Sequence, residues 1–256
     1  MKTPRIAWDN LLMATGATVT ASTEAAGYPA VAAYDWRTCT WWKPTATGAS
    51  TLTLVLASAQ TVSAFGLYGH DLGTFANTIK LDYSTDGGAN WITAVATFTP
   101  TGTECVYKTF GATSAQRWRV TVTCATTVSK IGSLFIGTDL VMPQGLRSGW
   151  VPPQFARKPE TTTSRSVNGQ FLGRSVIPMA GSVDLAIANV SEDWVYLYWL
   201  GFQKHAERRP FFLLWWEDGR PLDAAWCWTE SESAVTAQYS EPGFLSLSVK
   251  AVAGVE

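Results

Sequence analysis

The first half of this chain repeats one pattern, and that pattern limits the fold more than any other feature. Between residues 5 and 137, short segments with apolar residues at every second position recur, separated by clusters of Gly, Asn, Asp, Ser and Thr. Leu52, Leu54 and Leu56 alternate with Thr51, Thr53 and Val55, and residues 79–84 alternate again before the tight turn Asp86-Gly87-Gly88. A period of two places alternate side chains on opposite faces of a strand. Strands are expected at 18–21, 51–56, 62–68, 79–84, 91–98, 104–110, 116–123 and 130–136, with no long helix among them. About eight short strands punctuated by turns define a β-sandwich or jelly roll.

The texture changes at 139–160, where Pro143, Pro152, Pro153 and Pro159 fall close together. Proline removes a backbone donor and fixes φ, so this stretch reads as an ordered or semi-extended connector. Beyond it, Asn168-Gly169 suits a type I′ turn, so 161–167 and 170–177 form a hairpin. A further strand is expected at 182–187. A helix is then expected at 190–207, with Asn189 as its cap and Glu192 reaching back as in a capping box. Trp194, Leu197, Tyr198, Phe202 and His205 line one face of that helix. Val195 and Trp199 widen the face, while Tyr196 and Leu200 sit nearly opposite. Pro210 ends the helix. The apolar run 211–216 reads as a buried strand, followed by a turn at Glu217-Asp218-Gly219. In 224–229, Trp226 and Trp228 share one face and Ala225 and Cys227 the other. A last strand follows Gly243. Six of the 13 tryptophans lie between 194 and 228. A helix apolar on more than one side is wrapped by its own domain or covered by another subunit.

Net charge is -1 and charged residues make up 15%. There is no basic surface of the kind nucleic acids require. No apolar stretch reaches the ~18 residues of a membrane span, and the N-terminus lacks a secretory signal pattern. The cysteines, Cys39, Cys105, Cys124 and Cys227, show no metal spacing and are expected as buried free thiols of a protein made in a reducing cytoplasm, although Cys105 and Cys124 could face each other on neighbouring strands.

Several segments of the first half occur in the order seen in a known family. Ala21-Ser22-Thr23-Glu24 leads to Gly27-Tyr28-Pro29-Ala30 and Asp35, then Thr40-Trp41-Trp42. Leu52-Thr53-Leu54 precedes Gln60-Thr61-Val62, Tyr83-Ser84-Thr85-Asp86-Gly87-Gly88 precedes Trp91, and Arg117-Trp118-Arg119-Val120 follows. This series resembles the discoidin, or galactose-binding-like, domains. The resemblance implies an eight-stranded jelly roll whose end loops bind sugars in many members. Some relatives hold calcium. Trp36 stands after Asp35, where many relatives have Gly, and no cofactor or metal is expected here. From about residue 140 onward, "GQFLGRSV" before the helix and "RPFFLLWW" with "AWCW" after it resemble the distal-tail or tail-hub proteins of long-tailed bacteriophages. That resemblance implies a split β-barrel with a flanking helix that assembles into a ring. In many such proteins the barrel precedes the sandwich, the reverse of the order here.

An enzyme should present a constellation of reactive groups. His70-Asp71 could pair a general base with an orienting carboxylate, but a loop histidine in an ordinary setting has the same appearance. His205, beside Lys204, Arg208 and Arg209, reads as positive charge at a helix C-terminus. GxSxG, HExxH and phosphate-loop motifs are absent. Asp82, Asp86, Glu217 and Asp218 all fall at turns or strand ends, where carboxylates are common.

The expectations are therefore a mainly β chain: a galactose-binding-like jelly-roll sandwich over 1–138, a connector over 139–160, and a split β-barrel with one flanking helix over 161–256. No catalysis is expected. Trp36, Trp42, His70, Asp71, Asn90 and Trp91 are the candidate sugar contacts, with Trp41 assigned to plug the sandwich end. Tyr196, Trp199, Leu200, Arg208 and Arg209 are the candidate oligomer contacts. The leading reading is a structural, homo-oligomeric component of a phage tail tip or baseplate, located in the virion. It would form a trimeric or hexameric ring and touch other tail proteins or host glycans, without nucleic-acid binding or membrane insertion. The alternative is a stand-alone carbohydrate-binding protein.

Overall fold

The computed structural model describes residues 3–146, 149–156, 160–177, 181–216, 223–230 and 234–254. Strands β1 (Arg5–Ala7), β2 (Thr18–Ala21), β3 (Gly48–His70), β4 (Thr78–Ser84), β5 (Ile92–Phe98), β6 (Val106–Cys124), β7 (Ile131–Gly137) and β8 (Asp139–Val141) occupy the first part of the chain. They are followed by β9 (Glu160–Arg165), β10 (Phe171–Ile177), β11 (Gly181–Ser191), β12 (Phe211–Leu214), β13 (Ala224–Trp228), β14 (Val235–Glu241) and β15 (Phe244–Gly254). The molecule is mainly β, as the alternation implied. One helix, 192–206, interrupts the strands of the second part.

The sandwich is built on two long antiparallel strands. β3 and β6 pair from Gly48↔Cys124 to Leu67↔Val106, with register breaks between Val55 and Gln60 and between Val62 and Ala64. Two expected strands on each side of those breaks are thus single strands that bend. Alternation carries through a bulge in the backbone, but the polar residues at the bulge look like a turn in sequence. The first half of β3 and second half of β6 lie with β2, β4 and β5, and β7 pairs with the second half of β3. Leu52, Leu54, Val62, Phe65, Leu67, Ile79, Trp118, Val120, Leu134 and Ile136 fill the space between the layers.

A second sheet runs β11-β15-β13-β12-β1-β8, and β14 also pairs with β15, over Phe244–Val249. The chain begins in this sheet: β1 pairs with β12 through Arg5↔Leu214 and with β8 through Arg5↔Val141. The sandwich residues are therefore threaded between two strands of the later unit. A division at residue 138 does not describe this arrangement, because Arg5–Ala7 and Asp139–Val141 are needed to complete the C-terminal sheet. Asp139 holds the junction by accepting from Arg5 at 2.6 Å and from Ser63 of β3 at 2.6 Å. The proline-rich segment is ordered where described: Met142 is buried, and Leu146 and Trp150 pack on the second core.

The helix covers one face of this sheet. Val195, Trp199, Phe202 and Ala206 are its buried residues, a 4-3-4 spacing, and they pack on Val183, Leu185, Phe211, Leu213, Leu247 and Val249. Its first turn departs from the expected capping box. Asn189 sits at φ +57 in the register break between β11 and β15, and Ser191 precedes the helix without a side-chain cap. Glu192 accepts from the Tyr239 hydroxyl instead. The Asn168-Gly169 hairpin forms between β9 and β10, and the turn at 217–219 lies outside the described residues.

The other face of the sheet meets the sandwich. Phe212 and Leu214 of β12 and Ala224 and Trp226 of β13 pack with Trp36, Ala64, Tyr107 and Phe135. The unbroken apolar run of β12 follows from this position, since both of its faces are covered. Gly66 allows the close approach: a Cβ there would lie 3.2 Å from both Phe135 and the Phe212 ring.

Candidate functional site

The residues expected to contact sugar do not converge. Trp42 is fully buried, donates its indole N–H to the Thr23 carbonyl at 3.1 Å, and bridges Ile131 through the backbone. It is the plug of the sandwich end, while Trp41 lies half-buried beneath the Lys130 ammonium at 3.9 Å. The assignment of the two is reversed from expectation, because in an extended segment adjacent residues point oppositely and composition does not say which points inward. Trp36 is also buried. It adopts φ +65 and turns toward the second sheet, with its ring 5.7 Å from His205 and 6.2 Å from Phe212. The Asp35 carboxylate is occupied within its own loop, accepting from the Arg37 N–H at 2.9 Å and from the Thr40 hydroxyl.

His70 is buried as well. Its Nε2–H donates to the Glu104 carbonyl at 3.0 Å and its Nδ1 accepts from the Leu72 N–H at 3.3 Å. Burial pushes its pKa down to about 4, against smaller opposing effects of the Glu104 carbonyl and Asp71, so the ring is neutral. Asp71 accepts from the Lys130 N–H at 2.8 Å. Both groups hold loops together.

Asn90 and Trp91 lie in the turn between β4 and β5, on a different loop from His70 and Asp71, which follow β3. Asn90 donates from backbone and side chain to Asp86, and these bonds with that of Ser84 hold the Asp86 carboxyl well below its ordinary range. Trp91 carries the Arg119 guanidinium 4.0 Å above its ring. Asp82 is buried against Lys80 at 2.9 Å and Arg119 at 3.4 Å, one carboxylate between two cations. Glu217 and Asp218 lie outside the described residues.

The oligomer candidates separate too. Trp199 is buried in the second core, contrary to expectation, and Leu200 is half-buried. Tyr196 is exposed, and with Leu197 and Tyr198 it gives the helix an outer apolar face. The buried stripe keeps Phe202 and the two residues expected to widen the face, Val195 and Trp199, while Leu197 and Tyr198 turn outward. Every position from Trp194 to Leu200 is apolar, so periodicity alone could not choose the inner face. Arg208 and Arg209 are exposed in the turn after the helix, and this turn forms part of a pocket.

That pocket is the site on which the two units converge. Its volume is about 480 Å³, and Tyr68 of β3, Trp226 and Trp228 of β13, Thr38, Thr229 and the turn Glu207–Pro210 surround it. Tyr68 stacks on Trp226 with centroids 5.2 Å apart and planes at 11°, and Trp228 lies 5.4 Å from Trp226. Trp228 is half-exposed. The buried indole N–H of Trp226 has no hydrogen-bond partner among the described residues. Several bonds fix the charged turn. Arg208 and Arg209 donate their backbone N–H groups to the His205 carbonyl, His205 Nε2–H donates to the Pro210 carbonyl at 2.9 Å, and the Thr229 hydroxyl donates to the Ala206 carbonyl at 2.6 Å. Burial, joined by the Arg209 charge, lowers the His205 pKa against the Pro210 carbonyl and Asp9. The alternation of Trp226 and Trp228 against Ala225 and Cys227 was readable in sequence. Their meeting with Tyr68 and Thr38, more than 150 residues earlier, had no local signal.

Among the described residues no three His, Cys, Asp or Glu side chains gather as metal ligands. All four cysteines are free thiols, Cys105 and Cys124 included, and burial pushes the Cys105 and Cys227 thiols up, away from reactivity.

No family model and no curated protein matches the chain. Solved structures share part of its shape. One is a Ruminococcus gnavus GH29 fucosidase in complex with fucose, 19% identical with a TM-score of 0.45 over 52% of this chain and 27% of its own. Chitosan-binding module 1 of a chitosanase/glucanase from Paenibacillus sp. IK-5 is 28% identical with a TM-score of 0.42, over 50% of this chain and 98% of the module. A CBM32 module of GH89 produced by Clostridium perfringens is 17% identical with a TM-score of 0.43, over 50% of this chain and 98% of its own. The chain thus spans about a quarter of the fucosidase and matches each of the modules over about half of itself.

Proposed function

We propose that this protein is a non-catalytic carbohydrate-binding protein that holds a saccharide in the pocket between its sandwich and its C-terminal sheet. One observation carries the reading: the half-exposed Trp228 stands beside the stacked pair Tyr68 and Trp226 in a cavity of about 480 Å³ edged by Thr38, Glu207, Arg208 and Arg209. Pyranose rings present an apolar C–H face and a rim of hydroxyls. A flat aromatic side chain matches the face, and a few fixed polar groups match the rim. The fixed turn 207–210 lowers the ordering cost of binding. A glycan array on the full chain, followed by calorimetry of the best binder against wild type and Trp228→Ala, tests this reading. Specific binding lost in the variant supports it, and an array with no saccharide bound above background overturns it.

A second reading rests on a different surface. Tyr196, Leu197 and Tyr198 are 63%, 70% and 48% exposed, and Tyr239 and Phe244 of the β14–β15 hairpin are exposed beside them. The Tyr239 hydroxyl donates to Glu192 in the first turn of the helix, and Phe244 pairs with Ser191, so the hairpin and the helix form one patch. An aromatic patch of this kind suits a subunit of an assembly, and a phage tail-tip or baseplate ring with the sandwich facing outward accommodates both surfaces. Electron microscopy of the purified protein tests it, with closed rings as the supporting result and dispersed monomers as the opposing one.

A further inference from the structure

We infer that the interdomain pocket selects acidic saccharides, whose ring carboxylate is taken by Arg208 and Arg209; this rests on the carbohydrate-binding reading of the same pocket. Both arginines line the cavity beside the Trp226 and Trp228 rings. Neither forms an ion pair among the described residues, whereas Arg5 and Arg119 are each paired with a carboxylate. Among the described residues the one side-chain hydrogen bond of either is a weak one, from Arg209 Nη1 to the Met13 sulfur at 4.0 Å. The opposing charges nearby are Glu207, which also lines the cavity, and Asp9, which faces His205. His205 adds little, because burial and the Arg209 charge lower the pKa of its half-buried ring. The turn therefore carries two cations against one lining carboxylate.

Basic residues after a helix complement its dipole, and that accounts for charge at this point in the chain. It does not account for two successive arginines lining a cavity with aromatic walls. A planar guanidinium offers paired N–H donors that match the two oxygens of a carboxylate, and the match is stronger than a bond to a neutral hydroxyl. A uronate or sialate ring lying on Trp228 would bring its carboxylate to the cavity edge, where these donors stand.

The test compares acids with their neutral isosteres on the full-length protein. Calorimetry would titrate trigalacturonic acid, a glucuronic-acid disaccharide and N-acetylneuraminyl-lactose, each against its methyl ester. The expected result is that at least one free acid binds on the order of tenfold more tightly than its ester at low salt, with the ratio shrinking as salt rises. Arg208→Gln/Arg209→Gln is expected to bring the ratio to about one while ester binding persists, and Trp228→Ala to weaken acid and ester together. Equal or tighter binding of every ester overturns the acid selectivity and leaves sugar binding standing. No binding of acid, ester or any array saccharide overturns both. If the double variant does not fold, the acid-to-ester ratio of the wild type decides alone.

Discussion

Tyr68 and Trp226 lie face to face, 5.2 Å between centroids and 11° between planes, and they join strands that belong to different sheets. Trp226 is paired in register with Gly254, and a Cβ on Gly254 would strike the Tyr68 hydroxyl. The stack therefore requires the absence of a side chain at residue 254. Gly254→Ala should displace Tyr68, open the pocket wall and lower stability by about 1–3 kcal/mol, the usual cost of overfilling a packed site. Urea denaturation followed by tryptophan fluorescence measures it; an unchanged midpoint would show that the ring moves aside without cost.

Two tryptophans two residues apart should behave differently. Trp226 is buried in the interface between the units, and truncating it to Ala should cost about 3–5 kcal/mol. Trp228 is half-exposed at the cavity, so Trp228→Ala should cost markedly less stability while weakening saccharide binding at least tenfold, or about 1.4 kcal/mol. Calorimetric binding set beside thermal melts of both variants separates the roles.

His70 makes stability depend on pH. Its folded pKa of about 4 lies below the unfolded value of about 6.5. Between those values the unfolded chain binds a proton that the folded one does not, so stability is complete above about pH 6.5 and falls as pH drops toward 4. The full depression corresponds to about 3 kcal/mol. Below pH 4 this contribution is exhausted. Urea midpoints from pH 7 to pH 4 should show the decline, and His70→Gln should flatten it. A variant that keeps the wild-type slope would assign the decline to other groups.

The sandwich could be read from alternation because each of its strands has one core face and one outer face. Leu52, Leu54 and Leu56 all enter the core as the pattern required. The bends in β3 and β6 could not be read, since a bulge and a turn use the same polar residues. In the helix, the run Trp194 to Leu200 carried no polar residue to mark the outside, and Trp199 went inward while Tyr196 stayed out. Nor could the pairing of β1 with β12 be seen locally, because three residues near the N-terminus carry no mark of a partner two hundred residues away. The pocket depends on that long-range closure, so the loop residues Trp36, Trp42 and His70 drew attention that Tyr68 and Trp228 did not.

The outer face of the helix yields the last prediction. Tyr196, Leu197 and Tyr198 touch solvent over most or about half of their surface, and the hydrogen bond from the Tyr239 hydroxyl to Glu192 ties the helix to the β14–β15 hairpin. Contiguous apolar surface of this kind favours self-association, since covering it releases water from the rings. Sedimentation velocity of the wild type should therefore show oligomers that grow with concentration. Leu197→Gln/Tyr198→Ser should shift the population to monomers with a stability change within about 1 kcal/mol, because exposed positions contribute little to folding. Wild-type protein that stays monomeric at its highest attainable concentration would show that the patch does not associate with itself, and the ring reading would lose its structural motive.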